Sequence, residues 1–465
     1  MEFNKVTGEV VSAIKAIVGD NFVVTDHAGL EKYSHDETED LTYYPEVAVK
    51  PKSPEEISAL MKLCNQQMIP VTVRGAGTGL SGGALPVMGG LLISMERFNH
   101  ILNIDEDNLQ ATVEPGVITE VFMDTVAEKE LLYPVDPASK GSCFIGGNVS
   151  HGSGGPRVVK YGTIREYILN LEVVLPDGDI IWTGANTLKY ATGYNLTQLL
   201  IGSEGTLGII TKIVTKLIPR PTQDALLLAS FETPESACAA VSAIFRAGIV
   251  PSALEFMERR GLEWVIQYDG LNFELKEGIE AYLLIEVDGN NMDVIFSDCE
   301  KINSVLERFD CKDVLFADTA AQKEELWRLR RTMAVSVKSN SIFKEEDTVV
   351  PRANLPQLFN GIKEIGARYN FYSVCFGHAG DGNLHVNILK GNMSDDDWHN
   401  KLKDGIREIF ELTVSLGGTL SGEHGIGLVQ KEFMPIKYSN VHFELWRGIK
   451  KVFDPKGILN PGKIF

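Results

Sequence analysis

Apolar positions near the start of the chain recur first at helical spacing and then in alternation. Residues 53–56, SPEE, predict a helix start, with Ser53 as N-cap, Pro54 in the first turn and Glu56 closing a capping box. The apolar residues that follow at helical spacing are Ile57, Leu60, Met61 and Cys64. The next run, IPVTVRGAG, alternates as a strand does and stops at glycines. These patterns predict a helix, then a strand that leads into a glycine-rich loop.

The pattern changes near residue 221, after which glycine becomes rarer. TPES at 233–236 predicts a helix capped by Thr233, with Pro234 in its first turn. The predicted buried face of this helix is Ala237, Ala240, Val241 and Ile244. Strands are predicted at 226–231, 281–287 and 311–318, and helices at 291–309 and 320–337. Elements of this size indicate an α+β domain, and we place a soft domain boundary at 219–221.

Length, charge and cysteine usage narrow the class of protein. A chain of 465 residues predicts two or three structural units. Its 44 basic and 63 acidic residues give a net charge of −19, which disfavours nucleic acid and anionic membranes as partners. Apolar runs are strand-sized and the N-terminus does not resemble a secretory signal, so no transmembrane segment is expected. Six cysteines without a CxxC predict a cytoplasmic protein with no disulfide framework and no iron–sulfur cluster.

Glycine clusters in three segments, RGAGTGLSGG at 74–83, 139–155 and 202–209. Such loops allow successive backbone N–H groups to converge on an anion such as a pyrophosphate, although any single loop can equally be a tight turn. The first loop lacks the GK[ST] of a Walker A motif and is too rich in glycine and proline for a Rossmann fingerprint. The chain contains no HExxH, and its one G-x-S-x-G match, GLSGG at 79–83, lies inside the first glycine-rich segment. The loops therefore favour a nucleotide-like ligand over a serine hydrolase or a zinc protease.

Seven motifs in a fixed order carry a family resemblance. They are RGAGTGLSGG, PVDPASKGSCFIGGNVSHGSGG, KYGTIREYI, LKYATGYNLTQLLIGSEGTLGIIT, FGHAGDGNLHVN, GGTLSGEHGIG and DPKGILNPGK. Together they resemble the glycolate oxidase FAD-subunit and FAD-linked D-2-hydroxyacid dehydrogenase family of the vanillyl-alcohol oxidase and p-cresol methylhydroxylase (PCMH) superfamily. The resemblance implies an α+β fold with a PCMH-type two-part FAD-binding domain at 1–220. It also implies a ferredoxin-like α+β cap, or substrate, domain at 221–415 and a C-terminal segment, 416–465, that returns to the FAD domain.

The resemblance also implies how FAD is held. Covalent members of the superfamily carry a histidine after the early glycines of the first loop, whereas this chain has Thr78 there, so FAD is expected to bind noncovalently. The matching FAD-binding positions are Arg74, Gly75, Ala76, Gly77, Thr78, Gly79, Gly82, Pro137, Gly141, Ser142, Gly146, Gly147, Asn148, Ser150, Gly154, Ile209 and Asn460. Lys463 is implied to return to the site beside Asn460.

Histidines and a glutamate match the family's metal site. GHAGDGNLHVN contains His378 and His385, and GEHGIG contains Glu423 and His424. By residue type alone, a structural pair is the favoured interpretation of His378 and His385. The resemblance implies that His378, His385 and Glu423 bind one divalent metal, a ligand set that suits Fe²⁺, Zn²⁺ or Mn²⁺. It also implies that His424 is the base that removes the substrate's hydroxyl proton.

A 2-hydroxyacid substrate also needs a cation for its carboxylate and an acceptor for its electrons. The family's substrate arginine follows W-x-x, which matches Arg330, and a looser match points to Lys344; a surface ion pair is the alternative for each. The resemblance implies D-lactate as substrate and an electron-transfer flavoprotein, with alpha and beta subunits, as acceptor. Alternatives are a glycolate or D-2-hydroxyglutarate dehydrogenase that uses an iron–sulfur subunit or quinone, or a noncatalytic flavin subunit of a larger complex.

Overall fold

The helices and strands alternate through most of the chain. A computed structural model describes residues 2–465. The α-helices are α1 (Gly8–Val18), α2 (His27–Glu31), α3 (Pro54–Gln67), α4 (Thr119–Ala127), α5 (Ile145–His151), α6 (Val158–Tyr161), α7 (Leu196–Leu200), α8 (Pro234–Arg246), α9 (Arg259–Asp269), α10 (Met292–Leu306), α11 (Ala320–Arg331), α12 (Met333–Asn340), α13 (Leu355–Tyr369), α14 (Leu402–Ser415) and α15 (Asn440–Phe453). The strands are β1 (Val23–Val24), β2 (Val47–Val49), β3 (Val71–Arg74), β4 (Leu91–Ser94), β5 (Ile101–Asp105), β6 (Gln110–Val113), β7 (Leu131–Leu132), β8 (Ile168–Val174), β9 (Ile180–Trp182), β10 (Ile209–Lys216), β11 (Ile218–Pro219), β12 (Gln223–Phe231), β13 (Ala253–Glu258), β14 (Ala281–Gly289), β15 (Cys311–Phe316), β16 (Phe343–Val349), β17 (Tyr372–Gly377) and β18 (Asn383–Leu389). No helix within residues 2–465 is long and apolar enough to span a bilayer.

These elements form two compact units. Unit 1 comprises residues 2–154, 163–220 and 423–465, and unit 2 comprises 155–162 and 221–422. Unit 1 contains a four-stranded sheet in the order β1-β2-β4-β3, in which β2, β4 and β3 run parallel. It also contains a five-stranded antiparallel sheet in the order β5-β6-β10-β8-β9. Unit 2 is built on one seven-stranded antiparallel sheet in the order β15-β12-β14-β13-β17-β18-β16.

Local signals set the start of α3. The Ser53 hydroxyl accepts a hydrogen bond from the Glu56 N–H at 3.3 Å, as predicted for an N-cap. The predicted capping box is wrong, because the Glu56 carboxylate accepts from the Lys52 N–H at 2.7 Å instead of from Ser53. The predicted apolar face is fully buried and comprises Ile57, Leu60, Met61 and Cys64. This helix therefore covers one face of the parallel sheet with the residues that its 3.6-residue period selects.

The last residues of the chain complete the first sheet. The Val71 N–H donates to the Ile458 carbonyl at 2.8 Å, and the Asn460 N–H donates to the Val71 carbonyl at 2.7 Å. Leu459 forms a parallel bridge with Val71 on the side of β3 that β4 leaves open. Ile458 and Leu459 are fully buried among the apolar residues of this sheet. Pairing and burial together fix the tail on β3.

The helices and strands predicted for unit 2 are present. Thr233 caps α8 through the Ser236 N–H at 3.3 Å, and the predicted face of α8 is fully buried. Strands β12, β14 and β15 and helices α10 and α11 fall on the segments that the apolar pattern selected. Apolar side chains of α9, α11 and α12 pack with those of the sheet in one core. Unit 2 is thus a sheet with helices packed against it, which confirms the α+β prediction.

One predicted loop is partly helical. The sequence of 139–155 reads as a glycine-rich loop, but Ile145–His151 forms α5. A Cβ added to Gly146 would lie 2.4 Å from the Pro115 Cβ, so glycine lets α5 pack directly on the chain at Pro115. Tertiary packing therefore outweighs the low helix propensity of Gly146 and Gly147.

Candidate functional site

The first glycine loop of unit 1 leaves β3 in a conformation that glycine alone tolerates. Gly77 has φ +79°, and a Cβ there would lie 2.1 Å from Nη2 of Arg74. The Arg74 guanidinium donates to the His35 carbonyl at 2.7 Å. Gly82 has φ +77°, and its N–H donates to the Thr38 hydroxyl at 2.7 Å. The loop is therefore an ordered turn of backbone, as a phosphate cradle requires.

The first loop and α5 lie side by side. A Cβ on Gly75 would be 3.9 Å from the Gly147 backbone, and Cβ atoms on Gly79 and Gly83 would contact the His151 ring at 3.5 and 3.2 Å. The predicted FAD positions on or next to these two segments are Arg74, Gly75, Ala76, Gly77, Thr78, Gly79, Gly82, Gly146, Gly147, Asn148, Ser150 and Gly154. The structure therefore brings most of the predicted FAD-binding positions into one region of unit 1.

Several predicted FAD positions have structural partners or lie apart from these two segments. The Asn148 amide donates to the Thr119 hydroxyl at 2.7 Å, and the Ser150 hydroxyl donates to the Gly146 carbonyl at 2.8 Å. Gly141 and Ser142 are exposed, Pro137 is partly buried just before them, and Ile209 packs in the apolar core of unit 1. Side-chain contacts therefore do not mark these positions as ligand-binding, and their roles stay a prediction.

The tail of the chain closes the same region. The Asn460 amide donates to the carbonyls of Gly83 and Glu204 at 3.2 and 2.7 Å. The Lys463 ammonium donates to the Gly83 carbonyl and to the Asn460 side-chain oxygen, both at 2.6 Å. Burial lowers the pKa of Lys463 to about 7, against the opposing charges of Asp36 and Glu204. The first and third glycine loops thus both bind the tail through the Asn460 amide.

Unpaired polar atoms in this region fit a polar cofactor. Within residues 2–465, the Ser81 hydroxyl, one carboxylate oxygen of Asp36 and Nδ1 of His151 are buried without a hydrogen bond. Buried polar atoms are rarely left in that state, so they indicate a ligand with hydrogen-bonding groups. Together with the glycine cradle, they suit the phosphates and flavin ring of FAD.

A buried acid organises the candidate site of unit 2. Glu255 of β13 is fully buried, and its carboxylate contacts Nδ1 of His378 at 2.9 Å through both oxygens. Phe256 pairs with Gly377, so the register of β13 and β17 brings Glu255 opposite His378. The Arg330 guanidinium donates through Nε to Glu255 at 2.7 Å. Burial alone would raise the pKa of Glu255, but the charges of His378 and Arg330 outweigh it and the pKa is lowered.

This arrangement orients two predicted site residues. A carboxylate on Nδ1 holds the His378 ring so that Nε2 can bind a metal, an arrangement that metal-binding histidines commonly show. The bond to Arg330 uses Nε and leaves the terminal amino groups of the guanidinium for a forked contact with a carboxylate. The Arg330 guanidinium also lies 5.2 Å from the centre of the Phe376 ring. Arg330 is therefore a buried, oriented cation, and the surface ion pair considered for it is wrong.

His385 lies beside His378 among further acids. The two rings are 5.3 Å apart, and one ligand nitrogen of each lies within 4.8 Å of the other. Nδ1 of His385 is 3.6 Å from Glu345 and 3.8 Å from Asp347, both on the adjacent strand β16. Two imidazoles and nearby carboxylates form a donor set that fits a divalent transition metal.

Glu423 and His424 belong to unit 1, at the start of its last segment. The residues that follow them are fixed there, because the Glu204 carboxylate accepts from the N–H groups of Ile426 and Gly427 at 2.7 and 2.8 Å. The predicted ligand set thus takes two residues from unit 2 and one from unit 1. The roles of Glu423 and His424 stay predictions.

The sequence did not reveal three residues of these sites. Glu255 and Asn387 lie within apolar strands of unit 2, and both side-chain polar atoms of Asn387 are buried without a hydrogen bond within residues 2–465. Glu204 lies in the third glycine loop of unit 1. Asn387 could have been found from the sequence, because it lies two residues after His385 and alternate residues of a strand point to the same face of the sheet. Lys344, which was predicted to bind substrate, has its ammonium 5.4 Å from the Trp398 ring.

Comparison with known proteins identifies the relatives of this chain. Residues 45–184 match the FAD binding domain family, and residues 220–464 match the family described as FAD linked oxidases, C-terminal domain. The chain is 38% identical over 463 residues to glycolate oxidase subunit GlcD of Bacillus subtilis, covering 99% of this chain and 97% of the relative. It is 37% identical over 472 residues to D-lactate dehydrogenase of Anaerostipes hadrus, covering 100% and 98%.

A solved structure shows the fold. The crystal structure of p-cresol methylhydroxylase with substrate bound matches with a TM-score of 0.80 at 19% identity, covering 98% of this chain and 96% of that one. At this identity the likeness concerns the fold alone. It confirms the PCMH-type fold that the motifs predicted.

Proposed function

Because the chain belongs to the family of FAD-linked oxidases, we propose that it oxidises a D-2-hydroxyacid, D-lactate foremost, to the 2-oxo acid. The observation that carries this proposal is the buried Arg330–Glu255–His378 cluster of unit 2. It presents a guanidinium suited to a substrate carboxylate and an imidazole suited to a metal. The named relatives act on lactate and glycolate, which are both 2-hydroxyacids.

Each residue has a role in the proposed reaction. FAD held by the glycine loops of unit 1 would supply the hydride acceptor, and a divalent metal held by His378, His385 and Glu423 would supply a Lewis acid for the substrate hydroxyl. Arg330 binds the substrate carboxylate, and His424 takes the hydroxyl proton. His378, His385 and Glu423 hold the metal. The oxidised substrate has then lost one hydride and one proton, which balances the formation of the 2-oxo acid.

Two buried groups support these roles. Glu255 neutralises Arg330 and orients His378 at once, so that the buried guanidinium is not left uncompensated. Asn387 offers both an amide N–H and a carbonyl oxygen to a polar substrate. Lys344 is a second cation for a substrate carboxylate, and its family match is the loosest of the set.

The test is reduction of the bound flavin without added acceptor. Purified protein is mixed anaerobically with D-lactate, L-lactate, glycolate or D-2-hydroxyglutarate, and bleaching of the flavin spectrum is followed. We expect the fastest bleaching with D-lactate and none with L-lactate. His424→Ala should retain FAD and slow bleaching by about 10²- to 10⁴-fold, the range that a positioned base contributes. A flavin that no hydroxyacid bleaches would instead support the noncatalytic subunit.

Glycolate is the second candidate substrate, favoured by the match to the glycolate oxidase subunit. Faster bleaching by glycolate than by D-lactate would replace the first proposal. Metal involvement is tested separately by elemental analysis and by dialysis against a chelator. Retention of full activity without any divalent ion would contradict the proposed ligand set.

We also propose an electron-transfer flavoprotein of alpha and beta subunits as the acceptor. The supporting observations are the absence of a CxxC or CxxCH motif in the sequence and the net charge of −19, which favours a protein partner over an anionic membrane. The measurement is the rate at which D-lactate-reduced protein passes electrons to purified electron-transfer flavoprotein. Faster reoxidation by a quinone analogue would contradict it.

A further inference from the structure

Glu204 occupies an unusual position in the third glycine loop. It has φ +51° and lies between Gly202 and Gly205, which also have positive φ. A residue other than glycine seldom adopts this conformation without a reason in its surroundings. Glu204 is buried, and a buried carboxylate is costly unless hydrogen bonds or charges compensate it. Both its conformation and its burial therefore call for a specific role.

The Glu204 carboxylate binds the backbone of another segment of unit 1. One oxygen accepts from the Ile426 N–H at 2.7 Å, and the other accepts from the Gly427 N–H at 2.8 Å. Charge-assisted bonds of this kind are about twice as strong as neutral ones. A carboxylate offers two acceptors to two successive N–H groups, whereas a carboxamide offers one acceptor and one donor. The charged side chain is therefore matched to this task.

Glu204 is itself held on both sides. Its N–H donates to the Ser150 carbonyl at 2.8 Å, and its carbonyl accepts from the Asn460 amide at 2.7 Å. Gly425 has φ +83°, and a Cβ there would lie 2.9 Å from both the Glu204 carboxylate and Nδ1 of His151. Residues 425–427 thus pack against Glu204, whose own backbone is fixed by hydrogen bonds. No space remains there for a side chain at Gly425.

We propose that Glu204 is a positioning residue for His424. By fixing residues 425–427, its carboxylate sets the backbone from which the His424 imidazole reaches the substrate. This inference rests on the proposed function, in which His424 removes the hydroxyl proton. Glu204 touches neither substrate nor flavin in this role, and it acts through the two amides that it binds.

Glu204→Gln is the variant that tests the role, because the carboxamide can accept from one amide but turns its own N–H groups towards the other. Glu172→Gln is the matched control, since Glu172 is equally buried in unit 1 but binds Thr211 and Lys212 on β10. We expect Glu204→Gln to retain FAD and substrate affinity while flavin reduction by D-lactate slows about 10²-fold, the loss that a 1 Å misplacement can cause. The control should keep the wild-type rate.

A second measurement separates positioning from general stability. With a displaced base, removal of the hydroxyl proton limits the rate more strongly, so the solvent deuterium isotope effect on flavin reduction should rise in Glu204→Gln and not in Glu172→Gln. Gly425→Ala disturbs the same support from the other side and should give the same two changes. If Glu204→Gln loses FAD, the proposal is judged by the rate and the isotope effect of Gly425→Ala. A wild-type rate and isotope effect in the variant that retains FAD would overturn the proposal.

Hydrogen exchange provides a readout that needs no reaction. The amides of Ile426 and Gly427 should both be protected in the wild-type protein. In Glu204→Gln the amide that faces the carboxamide NH₂ group should exchange at least tenfold faster, because it loses its charged acceptor. Unchanged protection of both amides in Glu204→Gln would be enough to refute the proposal that the Glu204 carboxylate fixes this segment. A wild-type protein that no hydroxyacid reduces would refute the proposed function instead, so the two failures are distinguishable.

Discussion

The two units build their candidate sites from different materials. In unit 1 the site is made largely of backbone: glycines with positive φ, the carbonyls of Gly83 and Glu204 that accept from the tail, and amides that donate to the Glu204 carboxylate. In unit 2 it is made of three side chains, from Glu255 on β13, Arg330 on α11 and His378 directly after β17. A site built from backbone depends on the positions at which glycine leaves space for the ligand. A site built from side chains depends on the charged groups that contact one another.

This difference predicts different consequences of mutation. Changes in unit 2 should alter stability or reaction while FAD stays bound, because their side chains belong to the charge cluster. Changes in the glycine cradle should alter FAD binding, because an added methyl group occupies space that the cofactor needs. Variants of Glu255, Arg330 and Gly147 separate the two kinds of site.

The largest effect is expected from Glu255→Ala. This change leaves the buried Arg330 and His378 without the carboxylate that compensates them, and removing one partner of a buried ion pair costs about 3 to 5 kcal/mol. The free energy of unfolding, measured with urea, should fall by that amount. Glu263→Ala is the control, since its side chain is about one-third exposed in its pairs with Arg259 and Arg260, and it should cost less than about 1 kcal/mol. An equal loss of unfolding free energy in both variants would contradict the stabilising role of Glu255 in the cluster.

An intermediate effect is expected from Arg330→Lys. Lysine keeps the charge near Glu255 but lacks the fork that can hold a carboxylate with two parallel bonds. We expect kcat/KM for D-lactate to fall about 10- to 100-fold, equivalent to one charged hydrogen bond, with FAD content unchanged. Arg331→Lys, a change on the exposed neighbouring arginine, should leave kcat/KM as it is. A fall of the same size in both variants would remove Arg330 from the substrate site.

The smallest effect is expected from Gly147→Ala in α5. A Cβ there meets nothing within 4 Å, so the fold should accept it, and so should Gly448→Ala in α15, where the space is equally open. If FAD lies against α5, only Gly147→Ala should weaken FAD binding, by about tenfold or 1.4 kcal/mol. The Kd of FAD for the two variants, measured by fluorescence quenching, decides. Equal affinity would place the cofactor away from α5.

How much the sequence could predict differs between the units for a physical reason. The limits of α3 and α8 depend on local caps and period, and both are readable from a few neighbouring residues. Motifs identified Arg330, His378 and His385 through family likeness. The bond between Glu255 and His378 joins residues 123 positions apart, so it depends on strand register that no local pattern specifies.

The glycine-rich segments show the opposite limit. Their composition predicted loops, yet residues 145–151 form a helix because glycine permits contact with Pro115. Glu204 carries no local signal, because its motif reads as a turn, and the amides that its carboxylate binds belong to residues 426 and 427, more than 200 positions later. The sequence therefore predicts residue types and local structure better than it predicts contacts between distant segments of backbone.

The pairing of the tail with β3 has a consequence for the order in which the protein is made. Val71 acquires its last backbone partners only when residues 458–460 emerge from the ribosome. The strands of the seven-stranded sheet are synthesised entirely before that point. The second unit can therefore mature while the first still exposes an open strand edge, and that edge is where a chaperone would bind the unfinished chain.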